Sequence, residues 1–181
     1  MTILASEITS KFKLSDDGVD LFKANYTVIE FISVLRDEQR LIDAIKMYAH
    51  SLPIRHAIYW AYLCFTKELS AETDAARMGN LVDVLSWIKN PSEDKRRPFK
   101  SVYDELGFKH PIGCLAIAIF WSEGSISGAD NPAVPAPPNV ANEAVANAIV
   151  TRCIEFGDAM SKKLSTALDV GSEIIAKKHH W

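Results

Sequence analysis

From Pro111 onward the chain runs Ile112-Gly113-Cys114-Leu115-Ala116-Ile117-Ala118-Ile119-Phe120-Trp121 without one charged residue, then breaks into a stretch with prolines at 132, 135, 137 and 138. Proline fixes φ and lacks an amide donor, so this stretch neither continues a helix nor enters the middle of a sheet. A buried helix is therefore expected to end near Trp121 and give way to a long loop over residues 122–139. Long loops without regular structure are uncommon in compact domains and often carry function. The loop is the first place to look for a site.

Elsewhere the apolar spacing is helical. Leu41, Ile45, Tyr48 and Leu52, flanked by Ile42 and Ala49, step by three and four residues until Pro53, which predicts one amphipathic helix. Thr27-Val28-Ile29-Glu30 has the form of a capping box for a helix through Phe31, Val34 and Leu35. Residues from Pro53 to Phe65 are apolar on nearly every side and belong in the middle of a bundle. A further helix is expected over Ser70 to Lys89, weakened at Gly79. Asn90-Pro91-Ser92-Glu93 signals the next start, with Gly107 as its end and Pro98 as a kink or a true beginning. Asn139 is placed to cap a last helix carrying Val145, Ile149, Phe156, Met160, Leu164, Leu168, Ile174 and Ile175, with Gly157 and Gly171 as points of bending or ending. No segment alternates with period two, and no solenoid repeat is present.

These signals predict an all-α fold: a single-domain orthogonal helical bundle of seven to nine helices spanning 1–181, with the Pro53–Phe65 and Pro111–Trp121 helices at its centre. At 181 residues, 48% hydrophobic and 24% charged, the chain can bury a core without metals or disulfides. Its N-terminus has no basic region followed by an apolar one, and the longest apolar run falls short of the ~20 residues of a membrane span. Neither a secretory signal nor membrane insertion is expected. Cys64, Cys114 and Cys153 are odd in number and set in apolar patterns, as expected of core thiols in a reducing compartment, which makes cytoplasmic the default location.

The chemistry is sparse. A net charge of -3 gives no general attraction to nucleic acid, and the Lys95-Arg96-Arg97 cluster with Lys100, like Lys177-Lys178, is read as keeping helix surfaces solvated. Gly124-Ser125-Ile126-Ser127-Gly128 misses a nucleophile elbow, because isoleucine stands where the serine belongs and a helix precedes it. His50, His56 and His110 are scattered, His179-His180 stand at the terminus, and no metal ligand pair recurs at helical spacing. Glycine-rich phosphate cradles are absent. Neither a metal nor a cofactor is expected.

What remains is a constellation of Arg55 and Trp60 on one central helix with Trp121, Ser122, Glu123 and Ser125 at the end of the other, and Val134 on the loop. Read structurally, the tryptophans fill the core, Arg55 pairs with an acid and the serines satisfy helix-end carbonyls. Read functionally, these residues wall a partner groove whose arginine and aromatics are the anchors such interfaces favour.

Phe12-Lys13-Leu14-Ser15, Asp43-Ala44-Ile45, Ala49-His50-Ser51-Leu52-Pro53, Arg55, Ala57-Ile58-Tyr59-Trp60-Ala61 and Cys64 are similar to an uncharacterised bacterial family, domain-of-unknown-function family sixty-nine thirty-one. The likeness continues through Pro91-Ser92-Glu93 with Arg96-Arg97, and is strongest at Phe120-Trp121-Ser122-Glu123-Gly124-Ser125, followed by Pro132, Val134-Pro135-Ala136-Pro137-Pro138 and Ala144-Val145-Ala146. The chain departs from the family pattern at Glu123, commonly glycine, and at Pro98, commonly a helix former. The resemblance implies a non-catalytic interaction protein, a chaperone, adaptor or accessory factor associated with type VI secretion, whose partner is a secretion component or effector. The alternative expectation is a hydrolase-like enzyme under the 122–139 loop, using Ser122 or Ser125 with one of the three histidines.

Overall fold

A computed structural model describes residues 3–67, 75–128 and 131–176. Its helices are α1 (Ala5–Thr9), α2 (Asp16–Leu21), α3 (Val28–Asp37), α4 (Leu41–Ser51), α5 (Ile54–Thr66), α6 (Ala75–Lys89), α7 (Glu93–Arg96), α8 (Phe99–Leu106), α9 (Pro111–Trp121), α10 (Val140–Ile154) and α11 (Met160–Ile175). The fold is an all-α bundle. Eight of these helices have eight or more residues, within the number expected from sequence, and the short α1, α2 and α7 add to them. The expected helix start at Ser70 and the terminal pairs Lys177-Lys178 and His179-His180 lie outside the described residues.

Local chemistry sets most boundaries. The Thr27 hydroxyl accepts the Glu30 amide at 3.2 Å while the Glu30 carboxylate accepts the Thr27 amide at 2.8 Å, so α3 begins on the capping box read from sequence. That amide bond holds the Glu30 carboxyl below its ordinary range. Pro98 divides the expected 90–107 helix in two, because α8 starts immediately after it and a proline ring clashes with the preceding turn of a continuous helix. The start signal at Asn90-Pro91 is corrected to Ser92, whose hydroxyl accepts the Lys95 amide and opens α7 at Glu93. Asn139 does precede α10, but in a left-handed conformation and without a side-chain cap bond. The last expected helix is likewise two: α10 ends, a 3-10 turn spans Gly157–Ala159, and α11 follows.

The core is one connected cluster. Helix α9 is buried from Pro111 to Phe120 and packs against α8, α10, α5 and α6. Its central position is shared with the alanine-rich α10, which packs against α4, α5, α9 and α11 through Ala141, Ala144, Val145, Ala148 and Ile149. Small side chains let helix backbones come close on several sides at once.

Trp60 marks a second junction. It is fully buried (0% exposed), donates its indole N–H to the Ala167 carbonyl at 2.8 Å and lies beside Tyr48, ring centres 5.7 Å apart. A Cβ on Gly171 would stand 3.3 Å from the indole, so this glycine, through which α11 continues without ending, leaves room for the ring. Tyr48 and Ser172 hydrogen-bond at 2.7 Å, completing the contact of α4, α5 and α11. Trp121 is only half-buried, whereas Trp87, not singled out in the sequence, is buried. The three cysteines are buried and none is in a disulfide.

Candidate functional site

The site begins with an arginine that sequence reading placed on a solvated surface. Arg96, in the last turn of α7, is 0% exposed. Its Nε and Nη2 meet the two carboxylate oxygens of Glu93, the latter at 2.8 Å, and its Nη1 donates to the Phe120 carbonyl. Nη2 also donates to the Ser125 carbonyl at 2.8 Å, and the guanidinium carbon lies 4.9 Å from the centre of the Phe120 ring. A charged group taken out of water is tolerated only when paired and hydrogen-bonded, and the planar guanidinium meets a carboxylate through two parallel bonds. It also faces the carbonyl end of α9, where the helix dipole favours a cation. These bonds from Arg96 hold the Glu93 carboxyl below the usual carboxylate range, with Arg97 adding to the effect.

The chain after α9 folds back onto this clamp. Gly124 sits at φ +66°, and a Cβ there would be 3.0 Å from Arg96 Nη2 and 3.1 Å from a Glu93 oxygen. The backbone angle favours glycine, and an added Cβ would press on both side chains of the clamp. Beyond it the loop has its own order. Ser125 and Pro135 form an antiparallel bridge, the Ile126 amide donates to the Val134 carbonyl at 2.8 Å, and Arg97 donates to the Ser127 carbonyl at 3.1 Å. The Ser125 hydroxyl accepts the Val134 amide at 3.0 Å and the Ser127 amide at 3.1 Å. Ser127 Oγ gives its proton to the Pro132 carbonyl at 2.7 Å. In the 2.7 Å bond between the two hydroxyls Ser125 is therefore the donor.

Of the seven residues singled out from sequence, this region unites Trp121, Ser122, Glu123, Ser125 and Val134. Ser122 donates to the Ile119 carbonyl at 2.7 Å, closing the end of α9. Trp121 lies 6.0 Å from Phe108 and 6.4 Å from Tyr103, ring centre to ring centre. Glu123 and Val134 are exposed, Val134 at 47%. Arg55 and Trp60 are held elsewhere: Arg55 donates to the carbonyls of Ile88 (2.6 Å) and Lys89 (3.1 Å) at the end of α6, and Trp60 is in the α5–α11 junction. Arg96 and Glu93 were missed. The signal available was Ser92-Glu93-x-x-Arg96, a cap followed by an acid and a base three residues apart, which sequence periodicity alone does not orient. Lys95 too turns inward, onto the Ser86 carbonyl at 3.1 Å, so the cluster is engaged by the protein.

The histidines lead to other places. His50 is buried, stacks on Phe12 at 5.0 Å and bonds through Nε2 to Glu143 at 3.1 Å. Glu143 also bridges Lys46 at 3.0 Å, and the His50 bond, reinforced by Lys46, holds its carboxyl low. His110 Nδ1 accepts the Ile112 amide at 3.2 Å at the start of α9. Burial and neighbouring Arg55 push His56 below its ordinary value. The Ser122 and Ser125 hydroxyl protons are thus given to a carbonyl and to Ser127, whereas nucleophilic catalysis needs the serine proton directed to a base. Among the described residues no group of three or more His, Cys, Asp or Glu is placed to hold a metal ion, and no helix is long and apolar enough to cross a membrane.

The fold and site together define an all-helical protein that carries a proline-rich loop beside a clamp built on a buried arginine. The chain belongs to a family of unknown function, DUF6931, whose model matches residues 31–175. No curated protein and no solved structure matches it.

Proposed function

We propose that this protein is a non-catalytic interaction protein that docks a protein partner through the 122–139 loop, as an adaptor or chaperone does. The observation that carries this reading is the clamp. A fully buried arginine, its carboxylate partner and a positive-φ glycine fix the near side of the loop, while residues 131–135 and 137–139 on the far side remain exposed. A segment held in shape before binding has less conformational freedom to lose when it meets a partner. Proline adds to this by restricting the free chain. On the resemblance described above, a type VI secretion component is the first partner to try.

The test replaces residues 131–138 by a short Gly/Ser connector, leaving the acceptors of Arg96 and Arg97 in place. Helicity and melting temperature should stay close to those of the parent, since loop-closure entropy changes slowly with length. Recovery of the partner in affinity purification should fall. A folded, shortened protein that retains every partner removes this reading.

A further inference from the structure

The prolines of the loop have a spacing that specifies more than rigidity. Pro132, Pro135 and Pro138 recur every third residue, and Val134-Pro135 and Pro137-Pro138 are apolar-proline pairs set three apart. Three residues is one turn of a polyproline II helix, which has no internal hydrogen bonds and a left-handed ridge. The local chemistry favours that conformation. Proline holds φ near -65° at positions 132, 135, 137 and 138, and a following proline drives Val134, Ala136 and Pro137 away from helical angles. Residues 132–137 are free of helix and turn, with Pro135 in the extended bridge to Ser125, and Pro138 closes the stretch at the turn that leads into α10.

The mounting agrees with a display role. Wound with three residues per turn, the pairs 134–135 and 137–138 occupy two edges, and Ala133 and Ala136 take the third. Between 131 and 139, Ala136 is the half-buried residue, while Val134, Pro135, Pro137 and Pro138 are exposed. The two edges bearing the apolar-proline pairs therefore face outward.

We infer that residues 132–138 are a preformed polyproline II ligand, recognised by a partner domain whose groove is lined with aromatic side chains that receive Val134-Pro135 and Pro137-Pro138. Such grooves gain affinity because the ridge is ordered before contact. This inference rests on the docking reading and names the chemistry of its partner.

The experiment places the photo-crosslinker p-benzoylphenylalanine at exposed Ala133 of the full chain, expressed in the native host, and compares cross-link yield among variants whose melting temperatures match the parent. Pro135→Ala and Pro138→Ala should each lower the yield about tenfold, as loss of an interface anchor does, whereas Lys162→Ala, exposed on α11 and outside the loop, should change it by less than about twofold. The cross-linked partner peptide should border at least two aromatic residues. If the proline variants cross-link like the parent while the Gly/Ser connector abolishes partner recovery, the ridge inference is overturned and docking by the loop stands. If partner recovery also survives the connector, both are overturned.

Discussion

Trp60 and Arg96 are both fully buried, and each ties together segments far apart in the chain, yet the two junctions are built from opposite materials. Around Trp60 an indole fills a notch left by Gly171, and one hydrogen bond to Ala167 satisfies its only donor. Around Arg96 a charge is removed from water and recovered through Glu93, Phe120 and Ser125. The first holds helices to one another through shape. The second holds a loop to the bundle through charge and carbonyls, so it is sensitive to conditions that leave an apolar junction untouched.

The sharpest way to break this contrast is at the tryptophan. Trp60→Ala should destabilise the whole protein by about 3–5 kcal/mol, the range for large buried aromatics, measured by chemical denaturation. Trp121→Ala should cost clearly less, because that ring is half-buried. Equal losses would contradict the placement of the two rings.

Arg96→Met should cost about 2–3 kcal/mol, since it leaves the carbonyls of Phe120 and Ser125 without their donor but relieves a buried charge. Its signature is local. Hydrogen exchange at the Ile126 and Val134 amides should accelerate while amides of α10 stay protected, and uniform acceleration would mean that clamp and core are one unit. Gly124→Ala should act in the same place at about 1–3 kcal/mol, from the positive φ and the crowding of Arg96.

The smallest effect is that of acid. Because the Glu93 carboxyl titrates below its unfolded value, its contribution is present above the ordinary glutamate pKa of about 4.3 and is lost as pH falls through the lower folded value. Exchange at Ile126 and Val134 should therefore rise over that acidic window before the fluorescence of buried Trp60 changes. Glu93→Gln should remove that pH dependence, and its persistence in the variant would assign it to another carboxylate.

The apolar junction was largely legible in the sequence, and the charged one was not. Long apolar runs announce α5 and α9, Thr27 and Glu30 announce α3, and Pro98 announces a break, because each of these signals acts within a few residues. Arg96 reads as one cation in a run of three, and such runs are usually solvated. What buries it is the return of the chain at Gly124, which no periodicity in residues 90–107 reports. Trp87 and Trp121 show the same limit: which aromatic ends inside depends on the face a neighbouring helix covers. The start of α10 after Asn139 is legible, but its separation from α11 and its reach to four other helices are not, since alanines give a weakly sided pattern.

Arg96 and Arg97 grip residues on the near side of the loop, and no bond from either reaches the proline segment itself. The clamp therefore reaches the tip through residues 125–127. Glu93, Arg96 and Gly124 constrain one another, since the guanidinium is held by the carboxylate and a Cβ at 124 would press on both, whereas the segment from Pro132 to Pro138 is tied to Ser125, Ile126 and Ser127.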